Sequence, residues 1–233
     1  MFQDSANIEL NGVKSVNSQL YHIVFDRCNK VILEGVTITA SRDGPNTDGI
    51  HVEFSSDVTI LHSNVGTGDD CVSVGPGTTR LWIEDMNCGP GHGISIGSLG
   101  KDKEEEGVEE VTVKSATFTA TQNGVRIKSW ARSSNGFVRK VLFQHITMIN
   151  AQNPIIIDQH YCPRHLNCPH GVSGIQINDV TYQDIHGTSA SEVGVTFDCS
   201  SKNPCQNIKL DDVDISYDGE KARLICDNVE GLR

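Results

Sequence analysis

No run of about 18 apolar residues occurs anywhere in the 233-residue chain, which argues against a membrane-spanning helix. Positive charge is also scarce. Lys and Arg number 19 against 30 Asp and Glu, a formal net charge of −11, so neither nucleic acid nor an acidic membrane surface is expected as a partner. An anionic substrate is still admissible, because charges more than about 10 Å away are largely screened and local cations decide. No long amphipathic helix is legible. Nor do Asn-Gly or Asp-Gly turns recur between alternating strands, as a hairpin-built sandwich would require.

Met1 is followed by no charged segment and apolar core of a secretory leader, and the chain has no N-x-S/T site. Cysteine points the other way. Eight cysteines in a chain of this size suit an oxidising compartment, so we expect a piece of a secreted protein. Cys71 and Cys88, Cys162 and Cys168, and Cys199 and Cys205 are the close pairs, while Cys28 and Cys226 have no local partner. The segment His160, Cys162, His165, Cys168 and His170 could suggest a metal, but its C-x5-C spacing fits no common zinc set. A disulfide is expected there, and no metal or cofactor is expected in the chain.

One local pattern repeats along the middle of the sequence. The blocks Asp48-Gly49-Ile50-His51-Val52, Asp70-Cys71-Val72-Ser73-Val74 and His92-Gly93-Ile94-Ser95-Ile96 start 22 residues apart. Asn123-Gly124-Val125-Arg126-Ile127-Lys128 follows 31 residues on. Equal spacing of one pattern is the mark of stacked coils. Period-2 alternation turns Ile50, Val52, Val72, Val74, Ile94, Ile96, Val125 and Ile127 to one interior face. It stacks His51, Ser73, Ser95 and Arg126 in one outward column, with Glu53, Gly75, Gly97 and Lys128 beside it.

A second repeat precedes each block, with apolar residues at x, x+2, x+5 and x+7. Its starts are read at Ile8, Val31, Val58, Leu81, Val111, Val141, Ile175 and Ile208. Two alternating pairs with a break between them describe two short strands joined by a bend. With the block strand this makes three strands per coil and about eight coils. The expected fold is all-β, a single-domain right-handed parallel β-solenoid over residues 1–233, with an all-β sandwich as the alternative. Between strands, Lys101–Glu110 reads as a solvated loop, and Ser129–Gly136 as a possible cleft wall.

The residues that fall in register carry chemistry. A single Asp before a strand commonly bonds backbone amides at the bend. Asp48, Asp69 and Asp70 together, with His92 one coil further on, point instead to acid–base work. Like charges so close cannot all stay ionised cheaply, so one proton should be retained. Glycoside hydrolysis needs that pairing of a protonated acid with an ionised base. Arg126 and Lys128 on the same outward face suit recognition of a substrate carboxylate.

Asn46-Thr47-Asp48-Gly49, Gly68-Asp69-Asp70-Cys71, Cys88-Gly89-Pro90-Gly91-His92-Gly93 and Arg126-Ile127-Lys128 resemble the four signature motifs of the polygalacturonases, in family order, and their wording is similar to the plant members. The resemblance implies a right-handed parallel β-helix that hydrolyses α-1,4-linked galacturonan, the acid backbone of pectin, with inversion. It implies that Asp69 is the general acid and that Asp48 and Asp70 activate the water. His92 would support protonation of the acid, Arg126 and Lys128 would bind galacturonate carboxylates, and Tyr161 would contact substrate. Asn46 belongs to the first motif and is taken as substrate-binding. A monomer, secreted to the cell wall, is expected. Against the family pattern the chain begins almost inside the repeat, so an N-terminal cap and part of the C-terminus are expected to be missing. A non-catalytic, pectin-binding or allergen-like wall protein is the alternative function.

Overall fold

Alternation of Val and Ile with polar residues makes strands, and the coil spacing brings each strand back beside its predecessor. A computed structural model describes every residue except 164 and 165. Nine strands form one parallel sheet in chain order: Phe2–Gln3, Ile23–Asp26, Ile50–Glu53, Val72–Val74, Ile94–Leu99, Asn123–Trp130, Asn153–Tyr161, Val193–Asp198 and Arg223–Asp227. Successive members pair in parallel. A 15-stranded second sheet carries the other two strands of each turn. No α-helix occurs among the described residues. The architecture is a parallel β-helix, and the sandwich alternative is set aside.

The interior is the face that alternation selects. Ile50, Val52, Val72, Val74, Ile94, Ile96, Val125 and Ile127 are all buried. Burying an aliphatic side chain of this size contributes about 1.5–3 kcal/mol, and the helix repeats that contribution at each turn. The bend between the two short strands falls at Gly12, Gly35, His62, Asp85, Ser115, His145, Asp184 and Asp212, all with positive φ. In the later turns the two short strands run together as Phe137–Ala151, Gln176–Ser189 and Cys205–Tyr217.

One register differs from the sequence reading. Val141 pairs with Val180, and Val180 with Ile208, so the seventh start of the second repeat is Val180 and not Ile175. Ile175, Ile177, Val180 and Tyr182 satisfy the spacing in full, while Val180, Tyr182 and Ile185 satisfy its first three positions, with Gly187 in the fourth. The stacked Phe143 and Tyr182 rings, 5.1 Å apart, belong to the later frame.

Candidate active site

The outward face of the nine-stranded sheet holds the site, and pairing fixes its columns. Ile50, Val72 and Ile94 are register partners, as are His51, Ser73 and Ser95, and Ser95 pairs with Arg126. Two positions earlier, Tyr21, Asp48, Asp70, His92 and Asn123 therefore share one edge. Glycine permits this close stacking: a Cβ on Gly49 would lie 2.6 Å from the Cys71 carbonyl oxygen, and one on Gly93 2.2 Å from that of Asn123. A disulfide between Cys71 and Cys88 fixes the bend beside Asp70.

Asp70 is the buried centre. Its Oδ1 accepts from Ser95 Oγ at 2.7 Å and Arg126 Nη2 at 2.9 Å, and its Oδ2 accepts from Lys128 Nζ at 2.7 Å. Arg126 Nε also donates to Ser95 Oγ at 2.9 Å. Burial pushes the Asp70 carboxyl up, but Lys128 and Arg126 outweigh it and hold the acid ionised. Arg126 and Lys128 are thus buried partners of Asp70, 8 % and 7 % exposed, not free groups on an open face. Lys128 still borders the cleft; Arg126 is not among its lining residues.

Asp69 and Asp48 divide in the opposite sense. Asp69 Oδ1 accepts from the Asp70 amide at 2.8 Å and lies 3.1 Å from His92 Nδ1, while Oδ2 accepts from the Asn46 amide at 3.1 Å. Burial raises this carboxyl, yet the hydrogen bond and charge of His92 and the Asp70 amide bring it down to about 2. Asp48 is 7 % exposed. Burial, reinforced by the charge of Asp70, pushes it up to about 6, with Ser73 and Lys128 restraining the rise. Of the three acids Asp48 is therefore the one that holds a proton to the highest pH, giving it up through about 6, whereas the resemblance assigns the acid role to Asp69.

Asn46, Asp48, Asp69, Asp70, Lys128 and Tyr161 line one cleft of about 640 Å³, within the range of ligand sites. The Tyr161 ring centroid stands 5.2 Å from Lys128 Nζ and 5.9 Å from Arg126 Cζ, and Trp130 meets it edge-on at 5.3 Å. Residues 129–136 do not themselves line the cleft; Trp130 acts on it through Tyr161. The wall comes instead from Lys101, Asp102 and Glu105. Glu105 orders that segment by accepting from the Gly100 and Lys101 amides at 2.6 and 3.0 Å. Sequence reasoning missed these residues, as well as Tyr21, whose ring lies 5.0 Å from that of His51. Tyr21 was discoverable, since it occupies the Asp48 column one turn earlier.

Ligand atoms of Asp69, Asp70 and His92 lie within 4.8 Å of one another, as do those of Asp184, His186 and Asp212. In the first group Lys128 and Arg126 already neutralise Asp70. Of the other candidate metal segment, Cys162 and Cys168 form a disulfide, His160 Nδ1 pairs with Asp198 at 2.9 Å, and His165 lies outside the described residues. Cys199 and Cys205 form the third bridge.

Fold and cleft together define a parallel β-helix whose outward face gathers three acids, a histidine and two cations. The chain belongs to the glycosyl hydrolases family 28, whose model matches residues 1–232. It is 60% identical over 230 residues to a polygalacturonase of Prunus persica, covering 99% of this chain and 58% of that protein. It superposes on a polygalacturonase from Erwinia carotovora ssp. carotovora with a TM-score of 0.78 at 30% identity, covering 97% of this chain and 57% of that one. An endo-xylogalacturonan hydrolase from Aspergillus tubingensis shares the fold, with a TM-score of 0.84 at 22% identity over 96% of this chain and 63% of that one. The chain spans about three fifths of the length of these relatives.

Proposed function

We propose that the chain hydrolyses α-1,4-galacturonosidic bonds of polygalacturonic acid by direct attack of water. The observation that carries this reading is the convergence of Asp48, Asp69, Asp70, Lys128 and Tyr161 on one cleft with His92 against Asp69. Asp69 donates a proton to the glycosidic oxygen as the bond to the anomeric carbon breaks. Water attacks that carbon from the opposite face and gives its proton to Asp48 or Asp70. Because Asp69 is held near 2, its working proton has to be supplied. The His92 Nδ1 contact at 3.1 Å is the route. Lys128 pairs with Asp70 on one side and presents its remaining protons to a uronate carboxylate on the other. Tyr161 packs over that ammonium and forms the sugar-facing wall.

The polymer is pectic and extracellular in this reading, and three disulfides suit that compartment. The protein acts as a monomer. Incubation with polygalacturonate should release reducing ends with no rise in ultraviolet absorbance. An absorbing unsaturated uronide would mean β-elimination, and no new ends from the folded protein would remove the hydrolase reading.

A further inference from the structure

On the far side of His92 from the acids lies a second groove, of about 410 Å³. It is built from the bends that lead into the sheet, at Gly68, His92, Gln122, Gln152 and Ser191. Those five successive turns extend over roughly 19 Å at about 4.8 Å per turn. Its chemistry differs from that of the cleft next to it. Six carboxylates line the cleft: Asp48, Glu53, Asp69, Asp70, Asp102 and Glu105. Among the described residues none lines the groove, although the chain carries a net charge of −11.

Ser191 and His92 are hydrogen-bonded within the protein, but the amides of the groove are uncommitted. Among the described residues, the side chains of Gln122, Asn150 and Gln152 make no hydrogen bond within the protein, and all three are exposed. Arg42, at one end, is exposed and has no acidic partner among the described residues. Thr121 lines the same groove, and its hydroxyl is buried without a hydrogen-bond partner. Elsewhere on this surface, exposed amides of adjacent turns bond one another, as Asn87 does with Asn64 and Asn207 with Asn178. An unpaired amide row with a free guanidinium and no carboxylate matches a polyhydroxylated, anionic chain: amides bond hydroxyls, and Arg bonds carboxylate.

We infer that this groove is a second binding stretch for galacturonan, separate from the catalytic cleft and adjoining it at His92. The inference rests on the galacturonan reading above. It makes Arg42 and the amides of Gln122, Asn150 and Gln152 determinants of affinity for long chains, with no part in bond cleavage.

Arg42→Ala removes the cation, and Ala190→Trp fills the groove from an exposed position. Each should raise KM for long polygalacturonate about tenfold, the loss of one charge-assisted contact, with kcat unchanged and trigalacturonate kinetics unaltered. In an Asp69→Asn background both should weaken binding of the long polymer, and a fully methyl-esterified polymer should not discriminate Arg42→Ala from its parent. Parent-like KM and affinity in both variants, beside a clear loss in Lys128→Ala, would overturn the groove and leave the cleft intact. If neither the parent nor Asp69→Asn binds galacturonan at all, the functional reading fails first and the groove with it.

Discussion

Lys128 donates to Asp70 across 2.7 Å although 58 positions separate them in the chain. Arg126 takes the other oxygen at 2.9 Å. Ser73 and Ser95, the small register partners between them, leave the room in which these side chains meet. An acid as buried as Asp70 stays ionised only with such partners, so the site and the stability of the coil stack depend on one triad.

Lys128→Met should therefore destabilise the fold by about 3 kcal/mol, because it leaves a buried carboxylate half-compensated. Urea unfolding at neutral pH measures this. Combining it with Asp70→Asn should recover part of the loss, since the two residues are directly coupled. Additive losses would show that the ion pair is not what holds this part of the helix.

Asp48 makes stability fall as pH rises. Its pKa is raised from an ordinary 3.8 to about 6, so the folded state takes up the proton more readily than the unfolded chain. Its contribution is present below 3.8 and is lost as pH climbs through about 6. Asp48→Asn should remove that slope and stabilise the protein at pH 7 by up to about 3 kcal/mol. Asp69, lowered to about 2, acts in the opposite sense: its contribution is present above 3.8 and lost as pH drops through about 2. Identical profiles for the parent and Asp48→Asn would contradict the assignment of the retained proton.

The columns behind these statements were legible in the sequence. A period of two and a spacing of 22 residues leave His51, Ser73 and Ser95 one way to stack, and the pairing agrees at each. The direction in which a long side chain runs was not legible. Alternation puts Arg126 and Lys128 on the outward face, but does not say that they bend back over Ser95 to Asp70. The proton's location was hidden for a related reason. Asp48 and Asp69 both precede strands; the amides of Asn46 and Asp70 and the ring of His92 lower Asp69, while burial and the charge of Asp70 raise Asp48. Glu105 lies in an acidic run that reads as solvated, and its bonds to the amides of Gly100 and Lys101 are a property of loop conformation.

Tyr161→Phe should keep most of the affinity for galacturonan, whereas Tyr161→Ala should lose it. The ring faces Lys128 Nζ at 5.2 Å and braces against Trp130, and a desolvated cation–π contact contributes about 2 kcal/mol. Calorimetric titration of both variants with an oligogalacturonide separates ring from hydroxyl. Equal losses would place the function in the phenolic oxygen.

Replacing Cys71 and Cys88 together by Ala should cost about 2–4 kcal/mol of stability. The bridge anchors the bend that carries Asp69 and Asp70, so kcat should fall more than KM rises. A parent-like kcat in the folded variant would show that the acids are positioned without the bridge.

The central claim is that these acids cleave galacturonan, and Asp69→Asn tests it most directly. Turnover of polygalacturonate should fall at least about a hundredfold, the usual contribution of a general acid, while binding of the polymer persists. A folded Asp69→Asn protein that releases reducing ends at the parent rate would contradict the account.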